Sequence, residues 1–349
     1  MSSITLPPYD AGNFQRFIDT QFRAKVVRPP PGTSFHDQTV IVTGANVGIG
    51  LEAARVLLSL QASHLILAVR SVDKGEVAAA PLRKAYPKAK IEVWRLDMLS
   101  YDSIRDFSAK CSKLERLDVA ILNAACSRIE FAINKSTGHE ETFQTNYLST
   151  ALLAILLVPI MRSKKRTTSG SPPPRLAIVS SGLALSAGFP NHEADPLIPS
   201  FDSKAIWSSS GGQYERYSVT KTLELMLVLS LSRLVDPKDV LITAVDPGFT
   251  RGSQLHRDMP LVVRIILWFL KAFTARSLTE AAWTYIDAIN SSSRGEEIHG
   301  SFIMNFKVTP FPSLMYTPKG EQVTSRLWKE TMQDFETAGF KGLEQSLRG

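Results

Sequence analysis

From residue 38 onward, short, mostly apolar runs alternate with longer stretches whose apolar residues recur every three or four positions. Thr39–Thr43, His64–Val69, Ile91–Leu96, Leu117–Leu122, Leu176–Val179 and Val240–Val245 are runs of four to six residues, rich in β-branched side chains. Their lack of polar alternation predicts strands covered on both faces. Phe302–Met304 is a candidate seventh strand. Helical spacing predicts helices over Leu51–Leu60, after Val69 to about Tyr86, and over Tyr101–Cys111, Glu140–Met161 and Tyr217–Leu234. Strands alternating with helices predict parallel strands joined by crossover helices, so the expected fold is α/β with a doubly wound parallel sheet. No internal repeat is evident. One domain (37–349) is expected, preceded by an extension (1–36) that ends at the stiff Pro29-Pro-Pro31-Gly32 break. Within the extension, Phe14, Phe17, Ile18 and Phe22 sit at the spacing of a short amphipathic helix.

Composition adds bounds. Of 349 residues, 44% are hydrophobic and 21% charged, ordinary for a chain with a full core. Two cysteines, Cys111 and Cys126, supply neither a disulfide framework nor a zinc pattern, and fit a reducing, cytoplasmic setting. Six scattered histidines give no metal-ligand spacing, so no metal site is expected. The formal charge of +7 gathers partly in Arg162–Arg166, beside Ser and Pro residues, and reads as a solvated loop; no nucleic-acid motif accompanies it. No apolar run reaches the roughly 18 residues of a membrane span. Membrane association by Leu261–Phe273 is the minor alternative. The all-apolar run Ala151–Val158 is either core or a homodimer interface.

Candidate chemistry begins after the first run, where Thr43-Gly44-Ala45-Asn46-Val47-Gly48-Ile49-Gly50 leads into a helix. Glycines there allow a tight turn and close backbone approach to a pyrophosphate, which the unpaired N–H groups of the helix N-terminus attract. The second run ends in Arg70-Ser71 rather than a carboxylate. A guanidinium suits a 2′-phosphate and a carboxylate would repel it, so NADP(H) is expected over NAD. Tyr217 and Lys221 stand four apart on a helix, where the ammonium can reach the phenol and draw its proton affinity toward working pH. Ser181 and Ser180 close the fifth run, at the strand end where an open α/β sheet binds ligands.

With TGxxxGxG at residues 43–50 and YxxxK at 217–221, the chain resembles the short-chain dehydrogenase/reductase family, over roughly residues 38–305. The run Ala68–Glu76 is similar to the retinol-dehydrogenase-like branch and to fungal reductases of secondary metabolism. The resemblance implies a Rossmann fold with Asn146, Ser181, Tyr217 and Lys221 as the catalytic set. It implies cofactor contacts at Gly44, Asn46, Gly48, Ile49, Gly50, Arg70, Ser71, Asp97, Met98, Asn123, Tyr217, Lys221, Pro247, Gly248 and Thr250. Asn123-Ala124-Ala125 departs from the family's NAG turn in its last residue. Insertions at 182–216, with Phe189, Phe201, Ile206 and Trp207, and at 257–276 are expected to cover a bulky apolar substrate, such as a terpenoid or polyketide. A non-redox isomerase, dehydratase or cyclase and a silent NADP-binding sensor remain alternatives on the same residues.

Overall fold

A computed structural model describes residues 2–9, 12, 15, 18–165, 171–209, 212–252, 274–290 and 294–348. The apolar runs form one eight-stranded sheet: β1 (Thr39–Thr43), β2 (His64–Val69), β3 (Lys90–Arg95), β4 (Val119–Leu122), β5 (Arg175–Val179), β6 (Leu241–Val245), β7 (Ser301–Met304) and β8 (Lys307–Thr309). Their order is β3-β2-β1-β4-β5-β6-β7-β8. Every neighbouring pair is parallel except β7 and β8. β8 went unforeseen because it has only three residues; Asn305 and Phe306, both at positive φ (54° and 61°), make the two-residue turn into it.

The absence of alternation within the strands has the expected cause. Ile41 packs into the core on one face of the sheet, while its neighbours Val40 and Val42 pack into the core on the other. Helices α1 (Gly48–Ser59), α2 (Val72–Ala85) and α6 (Leu278–Ile289) contribute to the second core. Helices α3 (Tyr101–Cys111), α4 (Glu141–Ser163) and α5 (Gly212–Leu234) contribute to the first. Between β1 and β4 the strand order reverses, which opens a crevice at the carboxyl ends of the strands.

α4 is the one helix among the described residues long and apolar enough to cross a membrane, but 83% of its apolar window is buried inside the fold. It is a core helix. Its run Ala151–Val158 is covered within the monomer, in part by α8 (Leu343–Arg348), onto which Arg162 donates hydrogen bonds to the Ser346 and Leu347 carbonyls (2.8 and 3.0 Å). That tie also gives Arg162 a structural partner apart from the basic loop. α7 (Pro318–Thr337) packs on α5. The Glu330 carboxylate of α7 accepts from the Leu197 and Ile198 N–H groups (2.9 and 2.7 Å), bracing the 182–209 segment.

Within the extension, Ser3 is buried against β7: its hydroxyl accepts from Phe302 N–H (2.8 Å) and its carbonyl from the Tyr316 hydroxyl (2.7 Å). Further along the extension, Asp19–Arg23 forms a single π turn. Phe14 and Phe17 of the expected amphipathic helix lie outside the described residues, as does Leu261–Phe273.

Candidate active site

The glycine turn has the geometry its spacing predicts. Gly44 and Gly48 adopt φ of 67° and 61°, a region that costs any residue with a Cβ. Gly50 answers a different demand: a Cβ there would lie 2.5 Å from Asn123 Nδ2 and 2.8 Å from the Gly44 carbonyl oxygen. The Val47 side chain does not cap α1, so protein side chains leave the first N–H groups of the helix to an anion. This bare helix end and the close-packed glycines fit a dinucleotide pyrophosphate.

Arg70 is exposed at the end of β2, free to reach outward. Ser71 is the N-cap of α2, its hydroxyl accepting from Lys74 N–H (3.4 Å), which leaves its own proton to donate. Asp97 closes a local turn through Leu99 N–H (3.1 Å), and the Met98 carbonyl accepts from Ser149. Asn123 works as a lock: Nδ2 donates to the Thr43 carbonyl (2.8 Å) and Oδ1 accepts from Tyr285 of α6 (2.9 Å). Its side chain holds the ends of β1 and β4 together beneath the glycine turn. Pro247, Gly248 and Thr250 form the loop after β6; Gly248 has φ of 76°, and Thr250 donates to its carbonyl (2.8 Å).

The long helix α5 carries Tyr217 and Lys221, the pair expected to be catalytic. It is buried continuously from Arg216 to Leu229, so polar side chains on this stretch must find partners inside the protein. Lys221 Nζ donates to the Val179 carbonyl at the end of β5 (3.0 Å) and to Glu224 Oε1 (2.7 Å), and lies 5.5 Å from the centre of the Tyr217 ring. Ser180 donates to the Lys221 carbonyl (2.9 Å), tying strand end to helix. The next residue, Ser181, is partly open and caps the Gly182–Ser186 turn by accepting from Leu183 N–H (3.2 Å). Its hydroxyl proton is left to donate. Burial pushes the Tyr217 phenol well above its ordinary range, with negative charge at Glu224 and Asp246 adding to the rise.

Asn146 is fully buried in a π-helical turn, Gln144–Leu148, inside α4. Such single-turn bulges concentrate at functional positions. Its amide accepts from Cys126 N–H (2.9 Å) and donates to the Cys126 carbonyl (2.9 Å) and Thr220 Oγ1 (3.0 Å). Asn146 thus clasps the loop after β4 to the helix that bears Tyr217 and Lys221.

Four polar residues of the site were not singled out by spacing. Glu224 is the counter-charge of Lys221. Asp246 sits under the loop after β6, its carboxyl raised by burial and opposed by Arg276. Arg276 fills the space beside Gly248, where a Cβ would come within 2.8 Å of its Nη1, and donates to Asn305 Oδ1 (2.6 Å). Tyr285 holds Asn123. Only Glu224 had a local signal, as a lone acid among Leu223, Leu225 and Met226. The aromatic residues expected to face substrate behave otherwise. Phe189, Phe201 and Trp207 are buried, and Phe201 stacks on Phe143 of α4 (4.3 Å, 6°). They are packing groups, because a stack with α4 buries more apolar area than a rim position would.

A Rossmann sheet with a phosphate-binding glycine turn and a Tyr–Lys pair at the same strand ends defines the class: a nucleotide-dependent oxidoreductase of the short-chain type. The family described as "short chain dehydrogenase" matches residues 38–171. The "Short chain dehydrogenase/reductase mfmJ" of Annulohypoxylon moriforme is 45% identical, covering 100% of this chain and 99% of that one. The "Short chain dehydrogenase virL" of Hypocrea virens is 40% identical over 91% of each. This chain belongs to the short-chain dehydrogenase/reductase family. Solved structures share the fold at low identity. A short-chain type dehydrogenase/reductase from Mycobacterium marinum matches with a TM-score of 0.60 at 18% identity, over 82% of this chain and 98% of that one. A putative short chain dehydrogenase from Escherichia coli CFT073, complexed with NADPH, matches with a TM-score of 0.57 at 17% identity, over 79% and 98%.

Proposed function

We propose that this enzyme is a cytoplasmic, NADP(H)-dependent oxidoreductase that interconverts a ketone and a secondary alcohol on a bulky apolar small molecule, such as a terpenoid or polyketide intermediate of secondary metabolism. The observation that carries the reading is the placement of Lys221, bound at once to the end of β5 and beside the Tyr217 ring, next to Ser181. The nicotinamide, when bound, supplies or takes the hydride at C4. Ser181 donates to the substrate oxygen and orients it. Tyr217 passes the proton to or from that oxygen. Lys221 has one N–H beyond those given to Val179 and Glu224, and offers it to the nicotinamide ribose. Asn146 keeps one lone pair of Oδ1 for a water that relays protons toward Lys221. Gly44, Asn46, Gly48, Ile49 and Gly50 cradle the pyrophosphate. Arg70 and Ser71 take the 2′-phosphate, Asp97 and Met98 the adenine, and Pro247, Gly248 and Thr250 the nicotinamide side.

An apolar substrate is favoured by the rim of the crevice. Ile129, Ile133 and Tyr214 are large apolar side chains left exposed around the loop after β4 and the start of α5. Gln213 ties the two segments through the Ser127 carbonyl (3.1 Å). The test is consumption of NADPH with a panel of bulky cyclic ketones. Turnover with NADPH that exceeds turnover with NADH supports the reading. Tight NADPH binding with no consumption across the panel overturns it in favour of a non-redox or sensing role.

A further inference from the structure

Lys221 is not a free cation. Its nearest partner is Glu224 Oε1 at 2.7 Å, and both side chains are almost wholly buried, 1% and 2% exposed. The second carboxylate oxygen, Oε2, has no hydrogen-bond partner among the described residues. Ser180 lies beside it, but the single hydroxyl proton of Ser180 is given to the Lys221 carbonyl. A carboxylate in such surroundings is costly unless its charge is answered: burial raises the Glu224 carboxyl to about 7 even with Lys221 beside it, and above that pH Lys221 is the cation that answers its charge. The ammonium charge is therefore largely spent on Glu224 rather than on Tyr217, whose ring centre is 5.5 Å away. At an effective dielectric of about 20, an unanswered unit charge at that range would shift the phenol by about two pH units.

The other groups around Tyr217 do not restore a positive field. Asp246, beyond β6, adds negative charge near it, opposed by the positive charge of Arg276. Cys126, beyond β4, is raised by burial and is a neutral thiol. Tyr285 of α6 is likewise held neutral, with its proton given to Asn123.

Resting on the oxidoreductase reading above, we propose that Glu224 is a positioning residue: it anchors Lys221 and cancels its charge at Tyr217, so that Tyr217 stays a proton donor and the site favours carbonyl reduction. In that step a hydride moves from reduced nicotinamide to the carbonyl carbon. The Tyr217 O–H bond breaks, its proton goes to the carbonyl oxygen, and water returns a proton to the tyrosinate. Glu224 touches neither substrate nor cofactor.

The test uses full-length enzyme saturated with NADP⁺ and follows tyrosinate absorbance against pH. The chain has eight tyrosines, so the Tyr217 signal is taken as the difference between each protein and its Tyr217→Phe counterpart. With Glu224→Gln, the Tyr217 titration should move down by about one to two pH units. In kinetics, the alkaline fall of its reductive rate should begin about one to two pH units lower than in wild type. A paired variant, Lys221→Met with Glu224→Leu, removes both charges for apolar groups of similar volume and tests the idea even if Glu224→Gln does not fold. It should titrate Tyr217 close to wild type. An unmoved titration in Glu224→Gln, or an upward shift of one unit or more in the paired variant, overturns the assignment. The absorbance titration needs no turnover. The expected shift without ketone consumption would therefore count against the oxidoreductase reading while supporting the charge cancellation by Glu224.

Discussion

Tyr217→Phe keeps the ring that packs in the crevice and removes only the hydroxyl. The expected outcome is a loss of about 10²- to 10⁴-fold in kcat, with NADPH affinity by fluorescence titration unchanged. Near-normal turnover would remove Tyr217 from the acid/base role. Arg70→Ala tests the cofactor preference. Losing a charge-assisted contact to the 2′-phosphate should weaken NADPH binding by about 10- to 100-fold and leave NADH binding as it was. Equal weakening of both would show that Arg70 does not read the phosphate. At this scale the site was partly legible. Glycines that need positive φ, and a Tyr–Lys pair one helical turn apart, are local demands visible in spacing. Arg276 was not legible: 28 residues separate it from Gly248, and only folding places its guanidinium where a Cβ cannot go.

Among the elements, the start of α4 shows how a helix is aimed at the site. His139 lies just before it and is buried between two carboxylates, Asp202 Oδ2 at Nδ1 and Asp334 Oδ1 at Nε2, each 3.0 Å away. Asp202 lies within the braced 182–209 segment and Asp334 on α7, so one imidazole joins three parts of the chain. Burial disfavours its charge, but the two aspartates outweigh that and raise its pKa to about 9. The folded value exceeds the unfolded value of about 6.5, so the native state holds the proton more tightly. The stabilisation is complete below about pH 6.5 and is lost as pH rises through about 9. Allowing for partial solvent screening, it amounts to about 2 kcal/mol. Thermal melts between pH 6 and 10 should show this loss in wild type, and His139→Gln should flatten it. A slope unchanged by the substitution would place the titrating group elsewhere. Periodicity located α4 and α5 well, but it did not foresee the π turn at Asn146, which adds a residue to a turn without altering the apolar pattern.

For the whole molecule, the C-terminal helix α8 bears on the alternatives left by Ala151–Val158. It packs on α4, and all of this run but Leu156 is buried within one chain. We therefore expect light scattering to report the mass of one chain, and removal of residues 343–349 to expose α4 and cause self-association. A stable dimer of the intact protein through this helix would contradict that expectation.

The order of apolar runs and helices, the glycine turn and the Tyr217–Lys221 spacing are short-range patterns, and the sequence alone determined them together with the α/β class. The partners that complete the site come from far along the chain: Asn123 for the glycine turn, Arg276 for the loop after β6 and α8 for α4. Glu224 is only three residues from Lys221, yet its effect also belongs to the tertiary structure. In water that pair would be nearly worthless; burial between β5 and α5 removes the screening and turns a common helical spacing into a counter-charge for Lys221.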